Sequence, residues 1–523
     1  MSPTATRRRP RRHAPSAVHK PRGTLHPRVQ AAGPEHFGIA AVDCAKMRFK
    51  WMLADFYGRI LIPPTTVPHR RPALDQAVEQ LRQAAREHGL KDLVVAVERT
   101  GRYHHTPRRA FADAGFETRL IHPYATKNLR QPADPGNKTD DTDLAAIHRA
   151  AVTGFALAEP PLDEPWVTFR LLARHRRDLV VKAATLRIQI REHLDAALPG
   201  FAACFADFYS SDCALYVARH FATPADILAA GLPELRRRLQ DADVHPHRDT
   251  LETILAWAAE APPPDRGAAA HHRCALALEE DRQQKMRQIQ ALERDLAAHL
   301  CRTPYVLLLS CPGVNVVSAA DFAAEMGPVE HYASARTITG RAGLCPSRYQ
   351  SDQVDNSHGP LVPCGNRRLR GAILRVADNL IKCNHHFNVL AHTWQSQGKD
   401  PRQAHVKVGL RFCRIAYQIV AGRQVFRHPA LQGRHYVLDK LVAFHREHDT
   451  GVAEQMRDLQ AAVDQVPVRE HAAEAVPLHE ELEKIHQGRR RGPQMLADIL
   501  PIVLARLGVG GLESRESEGS DRR

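Results

Sequence analysis

The sequence predicts an α/β domain near the N-terminus, a mainly helical connector of coiled-coil character and a second, mainly α-helical domain. Three observations lead there. Up to about residue 160, β-rich apolar runs alternate with helical stretches. Two long segments, 165–198 and 272–300, carry Leu, Ile and Met at heptad-like spacing amid Arg, Lys and Glu. A segment with its own apolar helices and a long polar loop follows from about 303 to 425. With 523 residues, 43% of them hydrophobic, the chain can bury several cores.

Taken in order, residues 1–34 hold eight Arg or Lys and no acid, including RRRPRRH at 7–13, and are expected to form a disordered basic arm. In the domain spanning 35–160, HFGIAAVDCAKMRFKWMLADFYGRILI predicts two or three consecutive strands with a turn near Tyr57 and Gly58. A helix over about 72–88 places Leu74, Ala77, Val78, Leu81 and Ala84 on one side. DLVVAVE is a short continuous apolar run, as in a buried strand. ETRLIHP offers another strand, with a helix before it and the Asp-rich helix of NKTDDTDLAAIHR after it.

The connector, 161–302, has one stripe through Leu172, Leu179, Leu186, Ile190 and Leu194 and another through Leu278, Met286, Ile289, Leu292 and Leu296. They suit either an antiparallel pair within the chain or a coil between subunits of a homo-oligomer. APPPDRG at 261–267 separates helices. Within 303–430, SCPGVNVVSAADFAAEMG has a Pro-Gly turn feeding an apolar helix, either a phosphate-binding helical hairpin or a structural turn. Beyond it a polar loop leads to a helix from about Asn366 carrying Arg367, Arg368, Arg370 and Arg375, an anion-binding surface. Residues 431–523 read as a charged helical extension with a disordered end.

A net charge of +15 and a pI near 9.5 call for a polyanionic partner. No apolar run approaches the roughly 18 residues of a membrane span, and no signal-peptide core follows the basic start, so a cytoplasmic, nucleoid-associated protein is expected. The ten cysteines contain no C-x-x-C pair and indicate neither a zinc site nor a disulfide framework. The histidine pairs at 104–105, 271–272 and 385–386 lack further candidate ligands.

The chemistry lies in the carboxylates. Asp43 ends FGIAAVD and Glu98 ends LVVAVE, so two adjacent strands of one sheet could bring them together. Asp140 and Asp143 are three apart and share a helix face, while Asp141 points elsewhere. Thr139 or Asp140 would cap that helix. Four carboxylates around one space need a cation, and hard divalent ions with oxygen ligands are the usual solution. Two such ions can clamp the attacking and leaving oxygens of a phosphodiester.

VDCAK, ERTGRY and NKTDDTDLAAIHR, in this order, resemble the three acidic motifs of the DEDD insertion-sequence transposases, whose N-terminal domain is a RuvC-like form of the ribonuclease H fold. The resemblance puts that family's Mg²⁺ (or Mn²⁺) ligands on Asp43, Glu98, Asp140 and Asp143, leaving Asp141 a capping or solvent role; Cys44 stands where a β-branched residue is common. GRAGLCPSRYQSDQVDNSHGPLVPCGNRRLRGAILR resembles the family's C-terminal transposase domain, where a loop serine after a GL-x-P turn is the nucleophile and GN-x-x-L-R opens the next helix. Matching from Pro346 puts that serine at Ser351, with Ser347 and Ser357 its competitors and Asp352 in place of the usual glycine. Arg348, Asn366, Arg367, Arg368 and Arg370 would contact nucleic acid. The resemblance further implies a recombinase acting on donor and target DNA through a phosphoserine, guided by a noncoding bridge RNA and assembled as a dimer or tetramer. The competing expectations are a RuvC-like nuclease that hydrolyses DNA with water and a non-catalytic basic scaffold.

Overall fold

The computed structural model describes residues 22–133, 135–160, 162–351, 354–356, 359–426 and 437–466. Most of the basic arm, Ser357, Asp352 and the chain beyond 466 therefore lie outside the described residues. Two units divide the chain after Pro161.

The first unit is a mixed five-stranded sheet with helices on both faces. Its elements are α1 (His26–Ala32), β1 (Phe37–Cys44), β2 (Arg48–Asp55), β3 (Ile60–Pro68), α2 (Arg71–Glu87), β4 (Asp92–Glu98), α3 (His105–Asp113), β5 (Thr118–Ile121), α4 (Pro123–Arg130) and α5 (Asp140–Val152). The strand order is β3-β2-β1-β4-β5, with β1, β2 and β3 antiparallel and β1, β4 and β5 parallel. Gly58, at φ +95°, makes the tight turn between β2 and β3 that the sequence marks. Helix α4 is an element that the sequence reading did not separate from the Asp-rich helix.

Strand alternation sorts the core into two layers. Ile39 and Ala41 of β1, Met52 of β2 and Val94 and Ala96 of β4 face α1 and α5, packing on Leu25, Val29, Leu144, Ile147 and Ala151. Ala40, Val42 and Cys44, with Phe49, Trp51, Val95 and Val97, face α2 and α3, packing on Ala77, Val78, Leu81 and Phe111. Because both faces of the central strands are covered, β1 and β4 read as continuous apolar runs rather than as alternating ones.

The second unit is almost wholly helical. Helices α6 (Glu164–Ala197) and α10 (Ala268–Cys301) pair antiparallel within the chain: Phe169 stacks on His299, Arg176 meets Glu293, Leu179 and Ala183 pack on Ile289, and His193 meets His271. Of the two arrangements that the heptad spacing allowed, the pairing within the chain is present. At one end Ile190 and Leu194 are buried under α7 (Asp212–His220), α8 (Pro224–Asp241) and α9 (Arg248–Glu260), with Phe201, Leu235, Leu239 and Ile254.

At the other end Phe169, Leu296 and Leu300 enter a larger core. It is built with α11 (Val316–Met326), α12 (Ala335–Ala342), the short strands β6 (Tyr349–Ser351) and β7 (Val354–Asn356), α13 (Arg367–Cys383), α14 (His385–Ser396), α15 (Pro401–Ala421), α16 (Val437–Glu447) and α17 (Val452–Gln465). Leu438, Leu441, Phe444, Leu459 and Val463 belong to this same core, so the packing does not follow a division at residue 430.

The Pro-Gly turn before α11 is a structural corner. Lys440 Nζ donates to the carbonyls of Cys311 and Val314 at 2.8 Å each, and Asn384 Nδ2 donates to that of Pro312 at 3.0 Å. Burial pushes the Lys440 ammonium down to about 8. Asn315 caps α11 through a reciprocal bond with Ser318, and of the two readings of this stretch the structural turn fits. All ten cysteines are free thiols. No helix among the described residues is long and apolar enough to cross a membrane.

Candidate active site

Strand parity places the first two carboxylates. Asp43 continues the Ile39, Ala41 series of β1, and Glu98 continues the Val94, Ala96 series of β4, so both side chains lie on the α5 face. The parallel register pairs Val42 with Val97, which leaves Asp43 and Glu98 as neighbours one step on. Cys44 has the opposite parity, is buried towards α2 and α3, and stands apart from the carboxylates' face. Burial, then the charges of Asp43 and Glu98, push its thiol up, so it is no nucleophile.

Helix α5 supplies the other two. Thr139 is its cap: its side chain accepts from Thr142 N–H and Thr142 reciprocates. With 3.6 residues per turn, Asp140 and Asp143 lie on the stripe that continues through Leu144, Ile147 and Ala151 into the core against the sheet. Asp143 is buried and Asp140 exposed. Asp141 caps nothing, correcting that part of the expectation. Its carboxylate meets Lys50 Nζ at 2.6 Å, and Lys50 stands directly across the β1–β2 pair from Asp43.

Asp43 shows that the four acids feel one another. Its carboxyl is pushed up to about 6, first by burial and then by the negative charges of Glu98, Asp143 and Asp140. The cation that neutralises part of this set is Arg130, at the end of α4, whose guanidinium is ion-paired with Asp143. No sequence pattern announced it. Among the described residues no group of three or more His, Cys, Asp or Glu side chains is arranged to hold a metal ion as it stands. The donor set nonetheless fits a hard divalent cation in chemistry: all its donors are carboxylate oxygens, and their repulsion adds to burial in raising Asp43.

In the second unit the glycine motifs build a platform. Gly343, at φ +66°, ends α12, and a Cβ there would stand 2.3 Å from the Cys364 carbonyl oxygen. Gly365, at φ +109°, approaches Gly343 N so closely that a Cβ would lie 2.9 Å away. Leu344 and Leu369 are buried beside them. Asn366 caps α13, accepting from Arg368 N–H and Leu369 N–H, and its Nδ2 donates to Glu325 at 3.0 Å. Glu325 is buried and also takes two bonds from Arg174, at 2.6 and 2.9 Å. Sequence reasoning missed both partners, since the carboxylate lies inside an apolar helix.

A hairpin rises from this base. Ser347 N–H donates to Pro360 O at 2.8 Å, Gly359 N–H to Ser347 O at 3.1 Å and Val362 N–H to Cys345 O at 3.0 Å. Farther out β6 pairs with β7, Ser351 opposite Val354. What reads in sequence as a polar loop is thus a short antiparallel arm. Ser351 is exposed at the end of β6, whereas Ser347 lies partly buried at the arm's base.

The arginines divide. Arg370 Nε donates to Ala342 O, and its Nη2 to Val362 O and Cys364 O, at 2.7–2.9 Å. It is an internal clamp on the hairpin base, which corrects its assignment as a nucleic-acid ligand. Asn366 likewise has its amide engaged internally. Arg348 and Arg367 are exposed, and Arg368 reaches Asp178 at 3.3 Å from an exposed position.

A mixed α/β unit with Asp, Glu, Asp and Asp at one end of its sheet, followed by a helical unit with a glycine-braced serine arm, defines a two-part, four-carboxylate class of protein. Comparison with known proteins narrows this. Residues 40–199 match the DEDD transposase domain of the IS110 type, and residues 305–391 match the transposase family IS116/IS110/IS902. An uncharacterised protein of insertion element IS116 from Streptomyces clavuligerus is 30% identical over 272 residues, covering 47% of this chain and 62% of that protein. The chain thus spans less than two thirds of that relative. In both stretches it is similar to the IS116/IS110/IS902 family of insertion-sequence transposases.

Proposed function

We propose that this protein cuts and rejoins the DNA of a mobile insertion sequence, with the first unit a RuvC-like domain of ribonuclease H fold. The observation that carries the reading is the convergence of Asp43, Glu98, Asp140 and Asp143: burial, and then the charges of the other three, raise the Asp43 carboxyl to about 6. The strand order, with three antiparallel strands continued by two parallel ones, supports the fold assignment. Those four residues would hold Mg²⁺ or Mn²⁺, which when bound supplies positive charge to a phosphodiester.

The nucleophile in this proposal is the Ser351 hydroxyl. Its Oγ attacks phosphorus and loses its proton; the bond from phosphorus to the 3′ oxygen breaks, and that oxygen takes up a proton. The products are a phosphoserine link and a free 3′ hydroxyl, and attack by a second 3′ hydroxyl reverses the step onto a new partner. Exposure of Ser351 on a two-stranded arm braced by Gly343, Gly365 and Arg370 supports its role. Serine needs activation by a base, a lowered pKa or a metal ion.

A guide RNA that pairs with donor and target DNA belongs to the same proposal. It suits a chain of net charge +15 whose cations grip backbone while base pairing reads sequence. So does assembly as a dimer or tetramer: Val167, Leu171, Val181 and Ile188 leave exposed apolar positions along α6. The test is incubation of the full chain with its element-end DNA, RNA and Mg²⁺, followed by denaturation. A covalent protein–DNA adduct is expected. Metal-dependent cutting with no adduct at any time would replace the proposal with hydrolysis by water, and neither cutting nor adduct would leave a basic scaffold.

A further inference from the structure

Helices α6 and α13 face each other through a set of charges in which the cations outnumber the acids. Arg176 engages Glu293 and lies 3.6 Å from Asp321, and Arg375 Nη2 bonds the same Asp321 at 2.9 Å. Arg368 takes Asp178. Every acid at this place is thus already engaged. Arg177, between Arg176 and Asp178, is half-buried and makes no hydrogen bond or ion pair among the described residues. Burial, then the like charge of Arg375, pull its guanidinium's pKa down. A cation held in that position is relieved by an anion.

The neighbouring face of α13 adds two more cations. Arg368, Gly371 and Arg375 are three and four residues apart and share a face of α13. A Cβ at Gly371 would stand 3.2 Å from Arg375 Nη1, so the missing side chain lets the guanidinium lie close against the helix at this notch. Guanidinium groups match phosphate oxygens in geometry and remain charged when partly desolvated.

We infer that Arg177, Arg368 and Arg375, around the notch at Gly371, form a seat for a backbone phosphate of DNA. The choice of DNA rests on the function proposed above. The same helix starts at Asn366 and anchors the arm that carries Ser351, so a strand held in the seat is held on the serine's own support. Unlike Arg370, which is consumed by three carbonyls, these three guanidinium groups keep donors for a ligand.

The experiment is the salt dependence of binding of the full chain to duplex DNA and to a single-stranded RNA of equal length, for wild type and Arg177→Gln. Among the described residues Arg177 has no hydrogen bond or ion pair to lose, only a through-space attraction to Asp321, which Arg176 and Arg375 also engage, so thermal stability is expected to hold. The slope of log affinity against log salt for DNA is expected to fall by about one, the share of one phosphate contact. Gly371→Leu fills the notch without removing a charge and is expected to weaken DNA binding on the order of tenfold, the loss of one charge-assisted contact. An unchanged slope for Arg177→Gln, with wild type binding DNA normally, overturns the seat and leaves the proposed function standing. A change confined to RNA overturns DNA as the ligand. Absence of wild-type DNA binding overturns both.

Discussion

Replacing Asp43 with Asn is predicted to stabilise the metal-free first unit while abolishing DNA cleavage. The carboxyl is raised from an ordinary 3.8 to about 6, so the folded state binds this proton more tightly than the unfolded chain does. The associated stability is fully present below the ordinary value and is lost as pH rises through about 6. At most this corresponds to about 3 kcal/mol, and solvent screening of a side chain that is not fully buried reduces it to about 1–2 kcal/mol. Asparagine cannot ionise and has nearly the same size. At slightly alkaline pH in chelator, amide exchange of the β1 and β4 peptides under increasing urea is expected to show the variant more stable by that amount. Near pH 4 the two proteins should agree, and Mg²⁺ should raise wild type more than the variant. A variant equal to or weaker than wild type at alkaline pH would refute the claim that the four carboxylates repel one another in the folded protein.

Asp140→Asn is expected to abolish strand cleavage with the fold intact, while Asp141→Asn, which loses only the contact to Lys50, stays close to wild type; equal loss in both would count against the assigned helix face. Arg130→Gln removes the internal cation from Asp143, whose side chain, like that of Arg130, is 11% exposed. It should cost about 3–5 kcal/mol in chelator, as for other truncated buried pairs. Divalent cation should restore more stability to this variant than to wild type, as urea titrations with and without Mn²⁺ would show, and an equal response would mean that Arg130 and the cation do not compete for Asp143.

The first sheet was largely legible because both faces of β1 and β4 are covered and their apolar runs end in acids. Counting alternate residues back from Asp43 and Glu98 puts them on the same face, and the Thr-x-x-Thr start of α5 marks its cap. Helix α4 was not legible: PYATKNLR buries only Thr126, so it carries almost no apolar stripe. Nor were Arg130 and Lys50, since a pairing between a cation and an acid on another element leaves no periodic trace. The heptad stripes of α6 and α10 gave the helices and, as one of two arrangements, their pairing within the chain; spacing alone does not say whether the partner helix is in the same chain. Arg370 misled because a guanidinium beside other arginines reads as a ligand for phosphate, whereas backbone carbonyls exposed by the glycine turns take its donors.

Ser351→Ala tests the central claim most directly. It deletes one exposed hydroxyl and leaves the carboxylates, Asn366 and the arginines in place. Binding to element-end DNA and its salt dependence are expected to match wild type, while the covalent adduct and the recombinant product disappear together. An adduct that persists in Ser351→Ala would contradict the account and move the nucleophile to another residue, with Ser347 and Ser357 first to be examined.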